Sequence, residues 1–348
     1  MHMRTFGKEA VPISEVGLGT WQLGGTEWGE ISDDQALAVL QAAYEAGTTF
    51  FDTADIYGNG RSEQLIGTFL KKLGTASQSL CIASKLGRRM DSQNGWPGNF
   101  TLDAMRQHTQ ETLKRLGIEQ LFLQQFHCIP FEVLQKGEVF EHMRQLQREG
   151  LIRFWGVSVE TVEEGLFCLK QPGCAALQVI FNLFRQKLCD ELLPKAQSQG
   201  VAILARVPLA SGLLSGTFQT NQHFAPTDHR HFNAHGEKFN VGETFAGISW
   251  EEGLKLVEQI RKILCPTEET PLAALALRWV LDHPAVSTVI PGATKPHQPR
   301  SNATASTLPP LSPVQHEQLR KLYTGEIHSK IRGRYEAPRH LTMKHHGT

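Results

Sequence analysis

Four residue types able to hold or move a proton stand at the ends of three apolar runs. The first run is Phe50-Phe51-Asp52-Thr53-Ala54-Asp55-Ile56-Tyr57-Gly58. It reads as a buried strand that stops at a carboxylate, followed by a Gly-Asn-Gly turn and an amphipathic helix. A second run, Leu80-Cys81-Ile82-Ala83-Ser84, ends in Lys85, and a third, Gln120 to Phe126, ends in His127. These types suit delivery of a proton to the alkoxide left when hydride adds to a carbonyl. A free phenol, with a pKa near ~10, is a poor donor unless it can be regenerated at neutral pH. An ammonium beside it stabilises the phenolate, and a carboxylate keeps that ammonium charged and oriented. An imidazole can hydrogen-bond the substrate oxygen. Taken singly, each residue has a plainer reading as a helix cap, packing ring, surface charge or turn residue. All four in this order, each at a strand end, favour the chemistry.

The chain alternates between short apolar runs and helical patterns. Arg4 to Phe6 and Val11 to Ile13 flank a Gly7-Lys8 turn and predict an N-terminal β-hairpin. Barrel-type strands are then expected at 16–19, 48–52, 80–84, 121–126, 152–157, 176–181, 201–205 and 286–290. Helices are expected between them at 33–46 (capped by Ser32), 62–73, 101–116, 132–149, 161–170, 188–199, 250–264 and 271–282. Further helices are expected at 296–305 and 313–323. Eight strands separated by helices imply a closed parallel α/β barrel. The whole chain, 1–348, is expected to be one such (β/α)8 TIM barrel domain with extra helices. The barrel would occupy about 16–306, and the C-terminal helix and tail 312–348. A doubly wound sheet would carry Gly-x-Gly-x-x-Gly after its first strand. Gly17-Leu18-Gly19-Thr20-Trp21-Gln22 lacks the third glycine.

The order, spacing and wording of these runs resemble the aldo-keto reductases of bacterial type, from Gly17 to about Asn302. The resemblance implies an NAD(P)H-dependent oxidoreductase that reduces aldehydes or ketones. Tyr57 would be the general acid, Lys85 its tuner, Asp52 the lysine's partner and His127 the carbonyl-orienting group. It also implies a cofactor across the barrel mouth, with Gly19, Thr20 and Trp21 on the first loop. Ser158 and Gln178 would hold the nicotinamide carboxamide, although Val159 stands where the family commonly has Asn. Arg206 falls where an aromatic often stacks on the nicotinamide, and Leu209, Ser211 and Gly212 match the loop along the pyrophosphate. Pro291-Gly292-Ala293-Thr294-Lys295-Pro296 leads into a helix whose amino end can hold a phosphate. There Gln298 replaces a frequent Arg, and Asn302 matches the adenine-contacting Asn. Thr294 and Lys295 favour NADP(H), with NAD(H) as the alternative. Trp21 and Trp96 are expected to wall the substrate. Potassium-channel β subunits belong to the same family, so a cofactor-binding regulatory barrel with little turnover stands as the second reading.

Bulk properties exclude other classes. Lys+Arg and Asp+Glu number 35 each, which argues against a nucleic-acid footprint. The apolar runs are strand-length, so no membrane span is expected. The six cysteines form no Cys-x-x-Cys pair, and no secretory signal is apparent at the amino terminus, which suits reduced thiols in a cytoplasm. The expected partner is a small carbonyl compound; oligomeric state has no sequence signal. The histidines at 223, 229 and 231 lack regular ligand spacing, so no metal is expected, and a metal-dependent hydrolase would need ligands at more strand ends. Three loops, 86–100, the first strand's loop with Trp21 and Trp28, and 211–249, exceed what a connection requires.

Overall fold

In the computed structural model, residues 1–89, 98–267 and 269–333 are described. Strands β1 (Met3–Phe6) and β2 (Val11–Ser14) form the expected hairpin, with Phe6 paired to Val11. Eight parallel strands follow: β3 (Leu18–Gly19), β4 (Phe50–Asp52), β5 (Cys81–Leu86), β6 (Leu121–His127), β7 (Ile152–Ser158), β8 (Cys174–Ile180), β9 (Ala202–Arg206) and β10 (Val286–Val289). They hydrogen-bond in sequence order from β3 to β10. The ring is closed by Gly17 N donating to Val289 O (2.8 Å) and Gly19 N to Pro291 O (3.1 Å). A side chain at Gly19 would bring its Cβ to 2.9 Å from Ile290 O, so the seam needs glycine there.

Alternation along the strands explains how the site is built. One parity of each strand faces inward. At the bottom these residues are Phe50, Ala83, Leu123, Phe154, Ala176 and Leu204, joined by Phe6 of the hairpin as a plug. Two residues further along the same faces come Asp52, Lys85, Gln125 and Gln178, and beyond them His127 and Arg206. The opposite parity, including Phe51, Ile82, Phe126, Val157 and Ile203, packs under the helices. The inner face thus turns from apolar to polar toward the carboxyl ends, where the loops gather.

Several helices differ from the sequence expectation in their breaks. The single helix expected at 132–149 is two, Phe131–Lys136 and Glu138–Arg148, because Gly137 between them takes φ 82°. The stretch expected at 188–199 is a 3₁₀ turn, Lys187–Asp190, followed by a helix Leu192–Ser198. The long segment after β9 is not featureless: it contains 3₁₀ turns and a short helix, His229–Phe232, and folds back across the mouth. Arg332 fastens it from behind, donating to Ala234 O, Gly247 O and Ile248 O at 3.0–3.1 Å. No helix among the described residues is long and apolar enough to cross a membrane.

Candidate active site

Asp52, Lys85 and Tyr57 meet at the top of the barrel. Lys85 Nζ donates to Asp52 Oδ2 at 2.5 Å and to Thr53 O at 2.7 Å, and lies 3.3 Å from Tyr57 Oη. The carboxylate is held from its other side by Gln178 Nε2 (2.7 Å) and Gln125 Nε2 (3.1 Å), both to Asp52 Oδ1. Two amides and an ammonium therefore fix one buried carboxylate. The His127 ring stands edge-on to Tyr57, with centroids 5.7 Å apart, and its buried Nδ1 has no hydrogen-bond partner among the described residues.

Burial sets the protonation states. It pushes the Tyr57 phenol above its ordinary value; the Lys85 ammonium pulls the other way but does not prevail, so the ring is a protonated donor at neutral pH. Burial opposes charge on Lys85, yet Asp52 and Tyr57 together carry it above the ordinary lysine value. His127 is driven well below its usual range, by burial first and then by Arg88, Lys85 and Arg206, and is a neutral imidazole.

The backbone beside Tyr57 is fitted tightly. Gly58 has φ 59°, and a Cβ there would lie 1.9 Å from Gly24 O; a Cβ on Gly24 would lie 2.5 Å from the Tyr57 carbonyl carbon. The first loop thus seats directly on the tyrosine loop. Gly58→Ala is expected to cost roughly 3 kcal/mol or more through strain and overpacking, seen as a lowered thermal midpoint.

Asp55, two residues before Tyr57, is buried and bonded to Arg89 Nε at 2.8 Å. Burial raises its pKa to about 7 against the pull of Arg89. Between about pH 4 and 7 the folded chain therefore holds a proton that the unfolded chain has shed, so this group alone makes stability fall as pH rises across that window. Asp55→Asn is expected to flatten that component, measured as the difference in thermal midpoint between pH 5 and pH 7 for variant and parent.

A cavity of about 940 Å³ opens over these groups. Of the expected site residues, Asp52, Tyr57, His127, Gly19, Thr20, Trp21, Gln178, Arg206, Leu209, Ser211, Gly212, Gly292, Thr294, Gln298 and Asn302 line it. Lys85 sits beneath the lining, bonded to Asp52 and Tyr57. Ser158 is buried at the end of β7, where its hydroxyl receives the Cys128 thiol at 3.4 Å, and Lys295 is exposed on the rim. Trp96 lies outside the described residues. Arg88 borders the cavity with Glu160 3.6 Å away, whereas Arg89 turns into the Asp55 pair and away from it.

The aromatic wall is larger than the sequence suggested. Trp21 stacks on Tyr57 (6.1 Å, 20°) and touches Trp28, His229 and Phe239 at 5.4, 4.9 and 5.9 Å. His229 is fully buried, with Nδ1 facing Glu27 O at 3.0 Å, and burial lowers its pKa to about 4. It is thus a neutral wall component of the folded-back segment. The signal for it was the crowding of His and Phe between 218 and 239, which shows aromatic content but not which ring turns inward.

Arg206 enters the mouth from the end of β9. It forms an ion pair with Glu243 of the folded-back segment, and Nη2 reaches Cys128 Sγ and Val159 O, both at 3.4 Å. Cys128, Glu160 and Glu243 have ligand-type atoms within 4.8 Å of one another, but Arg206 and Arg88 already balance the two carboxylates. The loop after β9 carries Val207, Ala210 and Ser211 at φ 51°, 48° and 57°. Positive φ at a β-branched residue is costly, and such strain persists where surroundings enforce it. Ser211 is locked by donating to Glu243 O (2.8 Å) and accepting from Phe245 N (3.2 Å).

At the far end of the cavity, Gln298 Oε1 accepts from Thr294 N (2.8 Å) and Lys295 N (3.0 Å). Arg300 points away, paired with Glu45 at 2.9 Å. Gly292 lies so close to the first loop that a Cβ would meet the Gln22 side chain at 2.0 Å. A long cleft that runs from Gly19 and Gln178 to Gly292, Thr294, Gln298 and Asn302, with a helix beyond, fits an extended dinucleotide.

A family model described as the aldo/keto reductase family matches residues 15–324. The aldo-keto reductase YhdN of Bacillus subtilis is 29% identical over 299 residues, 86% of each chain. A probable voltage-gated potassium channel subunit beta of Arabidopsis thaliana is 27% identical over 92% of this chain and 96% of its own. Among solved structures, the glycerol dehydrogenase of Gluconobacter oxydans shares 25% identity over 97% of this chain and 98% of its own, with a TM-score of 0.72. The holo form of an aldo-keto reductase from Bacillus halodurans agrees in fold, with a TM-score of 0.73 at 24% identity over 92% of this chain and 96% of its own. With its strand order and a match over nearly the whole chain, the chain belongs to the aldo/keto reductase family of NAD(P)H-dependent oxidoreductases.

Proposed function

We propose that the chain reduces aldehydes or ketones to alcohols with NADPH, and that Tyr57 is the general acid. The observation that carries this reading is the buried chain Asp52–Lys85–Tyr57 opening onto the cavity, with Lys85 Nζ 2.5 Å from the carboxylate and 3.3 Å from the phenol. When bound, the cofactor supplies hydride to the carbonyl carbon. Tyr57 then gives its O–H proton to the carbonyl oxygen, and the Lys85 ammonium stabilises the phenolate left behind. Neutral His127 orients that oxygen through a ring N–H, and Trp21, Trp28 and His229 keep bulk water from the reacting face. Gln178, Ser158 and Arg206 would hold the nicotinamide end, Ser211 and Gly212 the pyrophosphate, and the Thr294 to Asn302 segment the adenosine phosphate.

The test is a single-turnover assay in which the chain, loaded with NADPH, meets a reactive aldehyde and the loss of reduced-nicotinamide absorbance is followed. Rapid loss supports turnover. NADPH that binds but stays unoxidised against aldehydes, ketones and sugars would favour the regulatory-barrel reading instead, which the likeness to a channel β subunit keeps open.

The preference for NADPH rests on Thr294, Lys295 and the absence of an acidic group on this segment to receive ribose hydroxyls. Lys295→Ala is expected to weaken NADPH by about tenfold, the scale of one exposed charge-assisted hydrogen bond, and to leave NADH nearly unaffected. Equal losses for both, measured by fluorescence titration, or a parent preference for NADH, would overturn the assignment.

A further inference from the structure

We infer that Arg88 takes the carboxylate of an acid-bearing substrate, so that the chain prefers aldehydes and ketones with an acid group close to the reacting carbonyl. The inference rests on the reductase reading above and names the substrate class of that site. Arg88 lies two residues beyond the end of β5, and Glu160 two residues beyond the end of β7. β6 runs between those strands, with Leu86 paired to Phe126 and His127 to Ser158. The Arg88–Glu160 contact at 3.6 Å therefore crosses the end of β6, where His127 stands. The guanidinium is thus beside the group proposed to orient the carbonyl oxygen. The backbone on either side of Arg88 is fixed: Asn99 Nδ2 donates to Gly87 O (3.3 Å) and Arg89 O (2.6 Å). Gly87, at φ 108°, makes a turn where a Cβ would lie 2.8 Å from Ile129 Cγ2. Arg89 turns away into Asp55 and Glu111, and Arg88 is left facing the cavity.

The donors of this guanidinium are unspent. At 3.6 Å Glu160 is too far for a hydrogen bond, and Arg88 makes none among the described residues. None of its nitrogens is among the buried atoms without a partner, and the residue lines the cavity, so its N–H groups are within reach of a bound molecule. Arg206, Arg230 and Arg89 differ, since Glu243, Asp228 and Asp55 accept hydrogen bonds from them. Glu160 is buried and stands behind the cavity wall, so an anion in the cavity meets the guanidinium before that carboxylate. The charges acting most strongly on neutral His127 are cations, Arg88 first, and the space before its ring therefore favours negative charge. A carboxylate suits that place. Its two oxygens match the planar fork of a guanidinium, and the attraction strengthens where the pair is sheltered from water. A neutral hydroxyl would leave the cation with only its distant partner.

The experiment measures kcat/KM with NADPH on the full chain for pyruvate and succinic semialdehyde, each against its methyl ester, and for 4-nitrobenzaldehyde. Arg88→Met/Glu160→Gln removes the guanidinium without leaving Glu160 as an uncompensated carboxylate, and Arg88→Lys keeps the charge but loses the fork. The acid-to-ester ratio is expected to fall about tenfold or more in the double variant, the scale of one lost charged hydrogen bond, and mainly through KM. In Arg88→Lys it is expected to fall by less. Comparing ratios between variant and parent cancels the intrinsic reactivity of acid and ester, and retained ester turnover reports an intact fold. An unchanged ratio, whether both rates fall together or neither does, would overturn the inference. A parent that reduces 4-nitrobenzaldehyde and the esters but neither acid would also overturn it, with the reductase reading intact. A parent that binds NADPH but oxidises it with none of these compounds would overturn both.

Discussion

Tyr57→Phe is expected to lower carbonyl reduction by roughly 10²-fold or more, the scale of a lost general acid. The substitution keeps the ring, so the stack on Trp21 at 6.1 Å and the edge contact with His127 at 5.7 Å survive. It also keeps the ammonium over the ring face, where Lys85 Nζ lies 4.9 Å from the centroid. What is lost is one hydroxyl, and with it the proton donor and one of the Lys85 contacts. Binding of NADPH should therefore remain close to the parent while turnover falls, a pattern that identifies an interaction made in the transition state. Since burial keeps the parent phenol protonated, the parent's rate should hold through neutral pH and fail only on the basic side. Near-parent turnover by the phenylalanine variant, under conditions where hydride transfer limits the rate, would remove Tyr57 from its role.

The parts legible from sequence were those governed by alternation and by strand ends. Short apolar runs gave the eight strands to within a few residues, because strands covered by helices outside and filled inside by Phe50, Ala83, Leu123 and Phe154 must be apolar on both faces. The polar residues two positions beyond them, Asp52, Lys85 and Gln125, stand out for the same reason. The helix break at Gly137 was less legible, since glycine inside an amphipathic pattern is compatible with either a costly helix or a left-handed stop. The wall formed by Trp28, His229 and Phe239 was illegible, because it depends on a segment folding back across more than two hundred residues of sequence separation. Equally hidden was the fate of cations at the cofactor end. Arg206, Arg89 and Arg300 look alike in sequence, yet they pair with Glu243, Asp55 and Glu45 respectively. Only the first of these lines the cavity.

Lys85→Met should abolish most activity and also destabilise the fold, and the two effects can be separated. Methionine matches the stem of lysine in length but leaves Asp52 buried with only Gln125 and Gln178 as donors. Removing one partner of a buried ion pair typically costs about 3–5 kcal/mol, so the thermal midpoint should drop clearly. Asp52→Asn/Lys85→Met removes the orphaned charge and keeps an acceptor oxygen for the two glutamines. That double variant should recover much of the stability and none of the activity, since the phenol still lacks its cation. The pH dependence gives an independent sign. In the parent, Lys85 opposes the upward push of burial on Tyr57; without it the phenol rises further, so whatever residual rate remains should keep its acid form to higher pH. The basic limb of the pH–rate profile is thus expected to move upward in Lys85→Met, which keeps Asp52 and its own upward push on the phenol. A double variant that regains full activity with stability, or a Lys85→Met variant whose basic limb stays in place, would show that Lys85 serves the fold alone and does not tune Tyr57.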